Sequence, residues 1–133
     1  MNTIHKKIMI IEKDPTLLNS LAFTLKRHEY RVAAVSNAME ALEAIKDARS
    51  RRTPFNILII DIHLPGYAGL DFIDALRRNS IEIPICVLTE YSSPDLFVRL
   101  KERRIEDVLI KPFNSGELVN RVSSMLTRQS EIV

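Results

Sequence analysis

Asp61 closes the run Ile57-Leu58-Ile59-Ile60, and a carboxylate delivered by four aliphatic residues stands where a strand buried on both faces gives out. Three further apolar runs end in polar residues. Ile8 to Ile11 leads into Glu12-Lys13-Asp14, Ile85 to Leu88 into Thr89-Glu90, and Val108 to Ile110 into Lys111. A carboxylate nucleophile, an ammonium and a hydroxyl make a set suited to phosphoryl transfer. That reaction asks for an in-line nucleophile and for positive charge and donors on the equatorial oxygens, with the protein supplying positioning and electrostatics. In this assignment Asp61 attacks, Lys111 meets one phosphoryl oxygen as a point charge, and the Thr89 hydroxyl donates to another. Backbone amides after Asp61 complete the cradle. The carboxylate is expected to be presented at the edge rather than buried, with the Pro65-Gly66 turn taking the chain away from it.

The elements that must hold these residues alternate strictly. After the first strand, Asp14-Pro15 is a helix start, the carboxylate capping free amides and the proline sitting where its missing N–H costs nothing. Leu17, Leu18, Leu21 and Leu25 mark one face of the first helix, and Tyr30 to Val35 is a short strand. Asn37 with Glu40 opens a second helix whose Ala41, Leu42 and Ile45 turn inward, and the basic loop Arg49 to Thr53 returns the chain to the Asp61 strand. Leu70, Ile73 and Leu76 give a third helix. Ser93-Pro94 starts a fourth through Leu96, Phe97 and Leu100, and Asn114 with Glu117 starts the last, carrying Leu118, Val122, Met125 and Leu126. Five strands alternating with five helices predict an α/β fold, a doubly wound parallel sheet with right-handed crossovers.

At 133 residues the chain suits one domain, 1–133. Cys86 lies inside an apolar run, so it reads as a small buried hydrophobe and excludes a disulfide framework; a reducing, cytoplasmic setting is expected. No apolar run approaches the roughly 18 residues of a membrane span. The formal net charge is +2, and the basic clusters Arg49, Arg51, Arg52 and Arg99, Lys101, Arg103, Arg104 carry no interleaved aromatic residues. They read as solvated helix ends, with no direct nucleic-acid binding.

Order and spacing of the acid cluster, the Leu-Pro-Gly turn after Asp61, Thr89 and Lys111-Pro112-Phe113 resemble the receiver domain of two-component response regulators over essentially the whole chain. The resemblance implies the flavodoxin-like strand order 2-1-3-4-5, with Asp61 as phosphoacceptor and a sensor histidine kinase or phosphotransfer protein as donor. It implies Mg²⁺ held by Glu12, Asp61 and the backbone carbonyl of His63, and a cis peptide at Lys111-Pro112. Output would run from Thr89 to the face of the fourth helix, last strand and last helix, where Val108, Phe97, Arg99 and Lys101 fall. A protein partner or self-association is expected there, steered by the surrounding positive charge of Arg99, Lys101, Arg103 and Arg104.

Three positions depart from the family pattern. Lys13 replaces the second acid, so Mg²⁺ binding should be weak; at about one strand spacing, 4.8 Å, its ammonium is expected to reach Asp61 as a built-in cation. Glu90 replaces a small residue and would repel a phosphoryl group unless it turns outward. Val108 replaces the aromatic of the usual relay and cannot swing as one. Two readings therefore stand: a phosphoaspartate switch, and a phosphorylation-independent pseudo-receiver acting as an interaction module. A phosphatase of the haloacid-dehalogenase kind needs a second Asp where His63 stands, and a nucleotide site lacks its Gly-rich loop.

Overall fold

The computed structural model describes residues 6–64 and 67–131, so the turn expected at Pro65-Gly66 lies outside the described residues. The elements run β1 (Lys7–Ile11), α1 (Pro15–Arg27), β2 (Arg31–Val35), α2 (Ala38–Ser50), β3 (Ile57–Asp61), β4 (His63–Leu64), β5 (Tyr67–Ala68), α3 (Gly69–Arg78), β6 (Ile85–Thr89), α4 (Pro94–Glu102), β7 (Asp107–Ile110) and α5 (Ser115–Glu131). The main sheet is parallel throughout, in the order β2-β1-β3-β6-β7. Counting only its members, that is the expected 2-1-3-4-5. The antiparallel pair β4-β5, with His63 opposite Ala68, was not anticipated, because two residues a side leave no periodicity to read.

Alternation along each central strand divides the core. Met9, Ile11, Leu58, Ile60 and Val87 join Ala41 and Ile45 of α2, Phe72, Ile73 and Leu76 of α3 and Leu100 of α4 on one face. Ile8, Ile10, Ile57, Ile59, Cys86 and Leu88 meet Leu18, Leu21 and Leu25 of α1 and Leu118, Val122, Met125 and Leu126 of α5 on the other. Every residue of β3 and β6 is buried, which is why those strands read as unbroken apolar runs. Edge strand β2 carries Arg31 and Ala34 exposed. At the other edge Asp107, buried in β7, holds Arg121 at 3.2 Å and Arg128 at 2.6 Å and so ties α5 to the sheet.

Helix starts follow the sequence. Asp14 accepts from the Thr16 amide at 3.0 Å, Asn37 from Glu40 at 2.9 Å, Ser93 from Leu96 at 3.1 Å and Asn114 from Glu117 at 2.8 Å. Helix ends do not announce themselves. Glu29, Arg52, Ser80 and Arg104 follow α1 to α4 at φ of 68°, 59°, 57° and 58°, a region that normally selects glycine. Each is held by the same paired bonds, illustrated by Arg104 N to Lys101 O at 2.9 Å and Ile105 N to Leu100 O at 2.9 Å. The residue after three of these turns, Tyr30, Ile81 or Ile105, is buried, and that anchoring offsets the Cβ penalty.

Candidate functional site

Register brings the polar strand ends together. Ile11 pairs with Ile60, so Glu12 and Asp61 leave adjacent strands side by side. Asp61 pairs with Leu88 and Thr89 with Ile110, which puts Thr89 and Lys111 one step further along β6 and β7. The β7 strand is two spacings from β3, about 10 Å, a gap that lysine and aspartate side chains close from both ends. Lys111 Nζ lies 2.7 Å from Glu12 Oε1 and 3.2 Å from Asp61 Oδ2. The backbone comes to this point through a cis Lys111-Pro112 peptide, as the resemblance implied.

Asp61 is not presented at the surface as expected: it is 1% exposed. Lys111 Nζ stands 3.2 Å from Oδ2, and the His63 amide donates to Oδ1 at 2.8 Å. Glu12 is fully buried. Its Oε2 accepts the Asp14 amide at 3.0 Å, whereas Oε1 accepts no properly aligned hydrogen bond and faces the ammonium as a charge alone. Burial raises the Glu12 carboxyl above its ordinary value and the Asp61 charge adds to this, against the pull of the Asp14 amide and Lys111. Burial works against the Lys111 ammonium, but pairing with Glu12 and Asp61 outweighs it and holds that pKa above normal. The result is a lysine shared by two buried carboxylates.

Lys13 does not take the place foreseen for it. Its side chain is exposed and makes no ion pair with Asp61: past the end of β1 the chain buries Glu12 and leaves Lys13 and Asp14 exposed. The cation beside Asp61 is Lys111. Asp14 is exposed too and spends its carboxylate on the α1 cap, so it is not a substitute acid. Glu90 is exposed.

Thr89 is fully buried, and its hydroxyl is already engaged. Oγ1 accepts the Tyr91 amide at 3.1 Å and donates to the Tyr91 carbonyl at 3.2 Å. The Tyr91 ring meets the His63 imidazole edge-on, with centroids 5.6 Å apart at 84°. Sequence reading missed Tyr91, although it stands two residues past Thr89 as His63 stands two past Asp61, on neighbouring strands.

The outer face is less uniform than its charge suggested. Phe97 is 39% exposed and Val108 half-buried against the core. Arg99 pairs with Asp95 at 3.1 Å and stands two residues from Phe97, hence on the other flank of α4. Arg103, expected among the free cations, is bound through Nε and Nη2 to Asp74 of α3 at 2.9 and 3.1 Å, and it accepts a bond on its carbonyl from Arg77. Lys101 is exposed.

Glu12 and Asp61 offer only oxygen donors, the ligand type of a hard cation, and one oxygen of each now faces the Lys111 ammonium. No cluster of three or more His, Cys, Asp or Glu exists among the described residues. Two carboxylates with remaining positions left to water suit Mg²⁺, which dehydrates reluctantly.

Residues 8–123 match the family model described as the response regulator receiver domain. The DNA-binding response regulator MtrA of Mycolicibacterium smegmatis is 30% identical over 131 residues, covering 98% of this chain and 55% of that protein. The transcriptional regulatory protein PrrA of Mycobacterium tuberculosis is 32% identical over 123 residues, covering 92% and 51%. The chain thus spans about half the length of the curated relatives it matches. Among solved structures, the Vibrio cholerae chemotaxis protein CheY4 superposes with a TM-score of 0.81 at 26% identity, covering 90% of this chain and 98% of that one. A CheY-like receiver from Methanospirillum hungatei, at 23% identity, shares the fold with a TM-score of 0.85 over 96% and 98%.

Proposed function

This chain belongs to the response regulator receiver domain family, and from that premise we propose that it is a phosphoaspartate switch in a two-component relay. The observation that carries the reading is the single ammonium of Lys111 placed on both Glu12 and Asp61. A carboxylate oxygen of Asp61 attacks the phosphorus of a partner's phosphohistidine; the O–P bond forms, the P–N bond breaks, and its electron pair stays on the imidazole. Lys111 then pairs with the phosphoryl oxygens as it now does with the carboxylates, and the Thr89 hydroxyl donates to another.

Glu12, Asp61 and the His63 carbonyl are the proposed holders of Mg²⁺, which would supply charge to the transferring group. Their affinity for it is limited by the missing third acid. Lys13 is exposed beside Glu12, so Lys13→Asp removes a positive charge next to the site and restores the acid that the family pattern carries there. Tighter Mg²⁺ binding by about tenfold or more, a gain of at least about 1.4 kcal/mol, is expected by calorimetry at fixed ionic strength. Equal affinity in both proteins would mean that Lys13 is not what limits the site.

The donor is a sensor histidine kinase or phosphotransfer protein, in the cytoplasm, and the output surface is the face of α4, β7 and α5, with Phe97, Val108 and Lys101 on or near it. There it meets a protein partner or a second copy, and the domain itself contacts no nucleic acid. One observation favours the pseudo-receiver reading: the Thr89 hydroxyl is engaged by both the amide and the carbonyl of Tyr91. Acetyl phosphate with Mg²⁺ separates the two. A mass gain of one phosphoryl group is expected in the intact protein and absent in Asp61→Asn. An unchanged mass while a control receiver labels in parallel leaves the pseudo-receiver.

A further inference from the structure

Each helix returns the chain to the edge where the parallel strands begin, so the helix carboxyl ends collect at the pole opposite Glu12 and Asp61. One strand length, about 15 Å, separates the two poles. Segment 82–84, which leads into β6, is the common wall of two cavities at this far pole. One, of about 530 Å³, is closed by Arg77 from the end of α3 and by Glu102, Arg103 and Arg104 from the end of α4. The other, of about 360 Å³, carries Arg49 from the end of α2, with Pro54, Phe55 and Ile81 beside it.

Cations in the last turn of a helix answer its dipole, and that alone accounts for Arg49 and Arg77 being basic. It does not account for three helices bringing arginines to one pair of cavities. Arg49, Arg77 and Arg104 are exposed and form no ion pair with another described residue. Arg103 shows how a carboxylate is received there, its Nε and Nη2 holding the two oxygens of Asp74 at 2.9 and 3.1 Å. Glu82 and Glu102 interrupt the positive charge and are exposed, so a nucleic-acid backbone, with one negative charge per about 1.7 Å of duplex axis, would meet them head on. None of the exposed large apolar side chains lines either cavity, which leaves a bilayer no anchor. A polypeptide can set neutral residues opposite the two glutamates and carboxylates opposite the arginines.

We propose that the paired cavities dock a protein partner through an acidic segment with interspersed apolar residues. Its carboxylates reach Arg49 on one side of the 82–84 wall and Arg77 and Arg104 on the other, while its apolar side chains lie against Pro54, Phe55 and Pro84. Charge complementarity selects this occupant, speeds its encounter and makes the complex salt-sensitive. The surface stands at the opposite end of the sheet from Asp61, so the inference holds whether or not Asp61 is phosphorylated.

The test titrates the full chain into a fluorescent peptide of glutamates interspersed with leucines and valines, read by anisotropy at low and at physiological salt. Saturable binding that weakens as salt rises is expected, and none with the same peptide carrying glutamine for every glutamate. Arg49→Glu and Arg104→Glu should each weaken binding about three- to tenfold. Lys26→Glu makes the same change of net charge at an exposed position of α1 outside both cavities, and should stay within about twofold of the wild type. In the wild type, the peptide should move the amide resonances of Ile81, Ile83 and Arg104 and leave those of His63 and Thr89 in place. No saturable binding at low salt overturns the proposal. So does equal weakening by all three reversals, or a resonance shift spread over the whole basic surface, since either is general charge attraction. Tighter binding of a DNA duplex than of the peptide at the same salt overturns it in favour of nucleic acid. Self-association of the chain without peptide, abolished by Arg49→Glu and Arg104→Glu, overturns it in favour of a second copy.

Discussion

Replacing Lys111 by methionine is expected to lower stability by about 3 kcal/mol near neutral pH, because it leaves two buried carboxylates facing each other without a counter-charge. Glu12 is fully buried and Asp61 1% exposed, so water cannot take over from the ammonium at 2.7 and 3.2 Å. Methionine keeps the length and apolar stem of lysine, which separates the lost charge from lost packing. The sign of the pH dependence follows from Glu12. Its folded-state pKa already stands above the ordinary value of 4.5, chiefly through burial, and removing Lys111 deletes an influence that lowers it. A carboxyl with a raised folded pKa contributes stability that is complete below the ordinary value and is lost as pH rises through the folded one. The variant's deficit should thus be small near pH 4.5 and grow toward neutrality. Urea unfolding of both proteins at the two ends of that range checks it, and Mg²⁺ should recover part of the neutral-pH loss by standing in for the ammonium. A deficit independent of pH would show that Lys111 acts through packing alone.

The same lysine shows where a sequence stops being readable. Strand ends and helix starts follow from apolar runs and caps, each a local rule that this chain obeys, with Asp14, Asn37, Ser93 and Asn114 all capping as their side chains suggest. The placing of Glu12 beside Asp61, by contrast, was legible only through the strand order that the resemblance implies. What failed depends on side-chain direction past the last strand residue, where no period operates. Lys13 was expected to reach Asp61, yet past Ile11 the chain buries Glu12 and leaves Lys13 exposed. Asp61 was expected at the surface, yet it is 1% exposed and its carboxylate pairs with Lys111, 50 residues away in sequence. The His63-Tyr91 contact joins two loops on separate strands, and nothing within either loop predicts it. The helix ends escaped for a different reason: Glu29, Ser80 and Arg104 adopt a glycine-like conformation because the residues after them, Tyr30, Ile81 and Ile105, are pulled into the core.

Gly69→Ala is the second large effect expected, and it reaches the site through the backbone. A Cβ on Gly69 would stand 2.7 Å from the Cα and 2.8 Å from the carbonyl oxygen of Ile62, and neither atom belongs to a flexible side chain that could move aside. Ile62 lies between Asp61 and His63, whose amide holds the carboxylate at 2.8 Å, and the Ile62 amide itself donates to the Leu88 carbonyl at 3.0 Å. Any shift that relieves the clash strains one of these bonds or the Gly69 amide to Ile62 carbonyl bond at 2.9 Å. Overpacking of this kind costs about 1 to 3 kcal/mol, and the backbone contact places the expected loss at about 2 to 3 kcal/mol. Gly116→Ala serves as the control within the same chain. Its Cβ would meet only the side-chain oxygen of Asn114, the α5 cap, at 3.2 Å, a contact far looser than the backbone clash at Gly69. Urea midpoints should therefore fall clearly for Gly69→Ala and change little for Gly116→Ala. The amide resonance of His63 should move in the first and stay in the second. If Gly69→Ala loses stability while that resonance is unmoved, the strain is absorbed in α3, and the close approach at Gly69 serves packing without positioning Asp61.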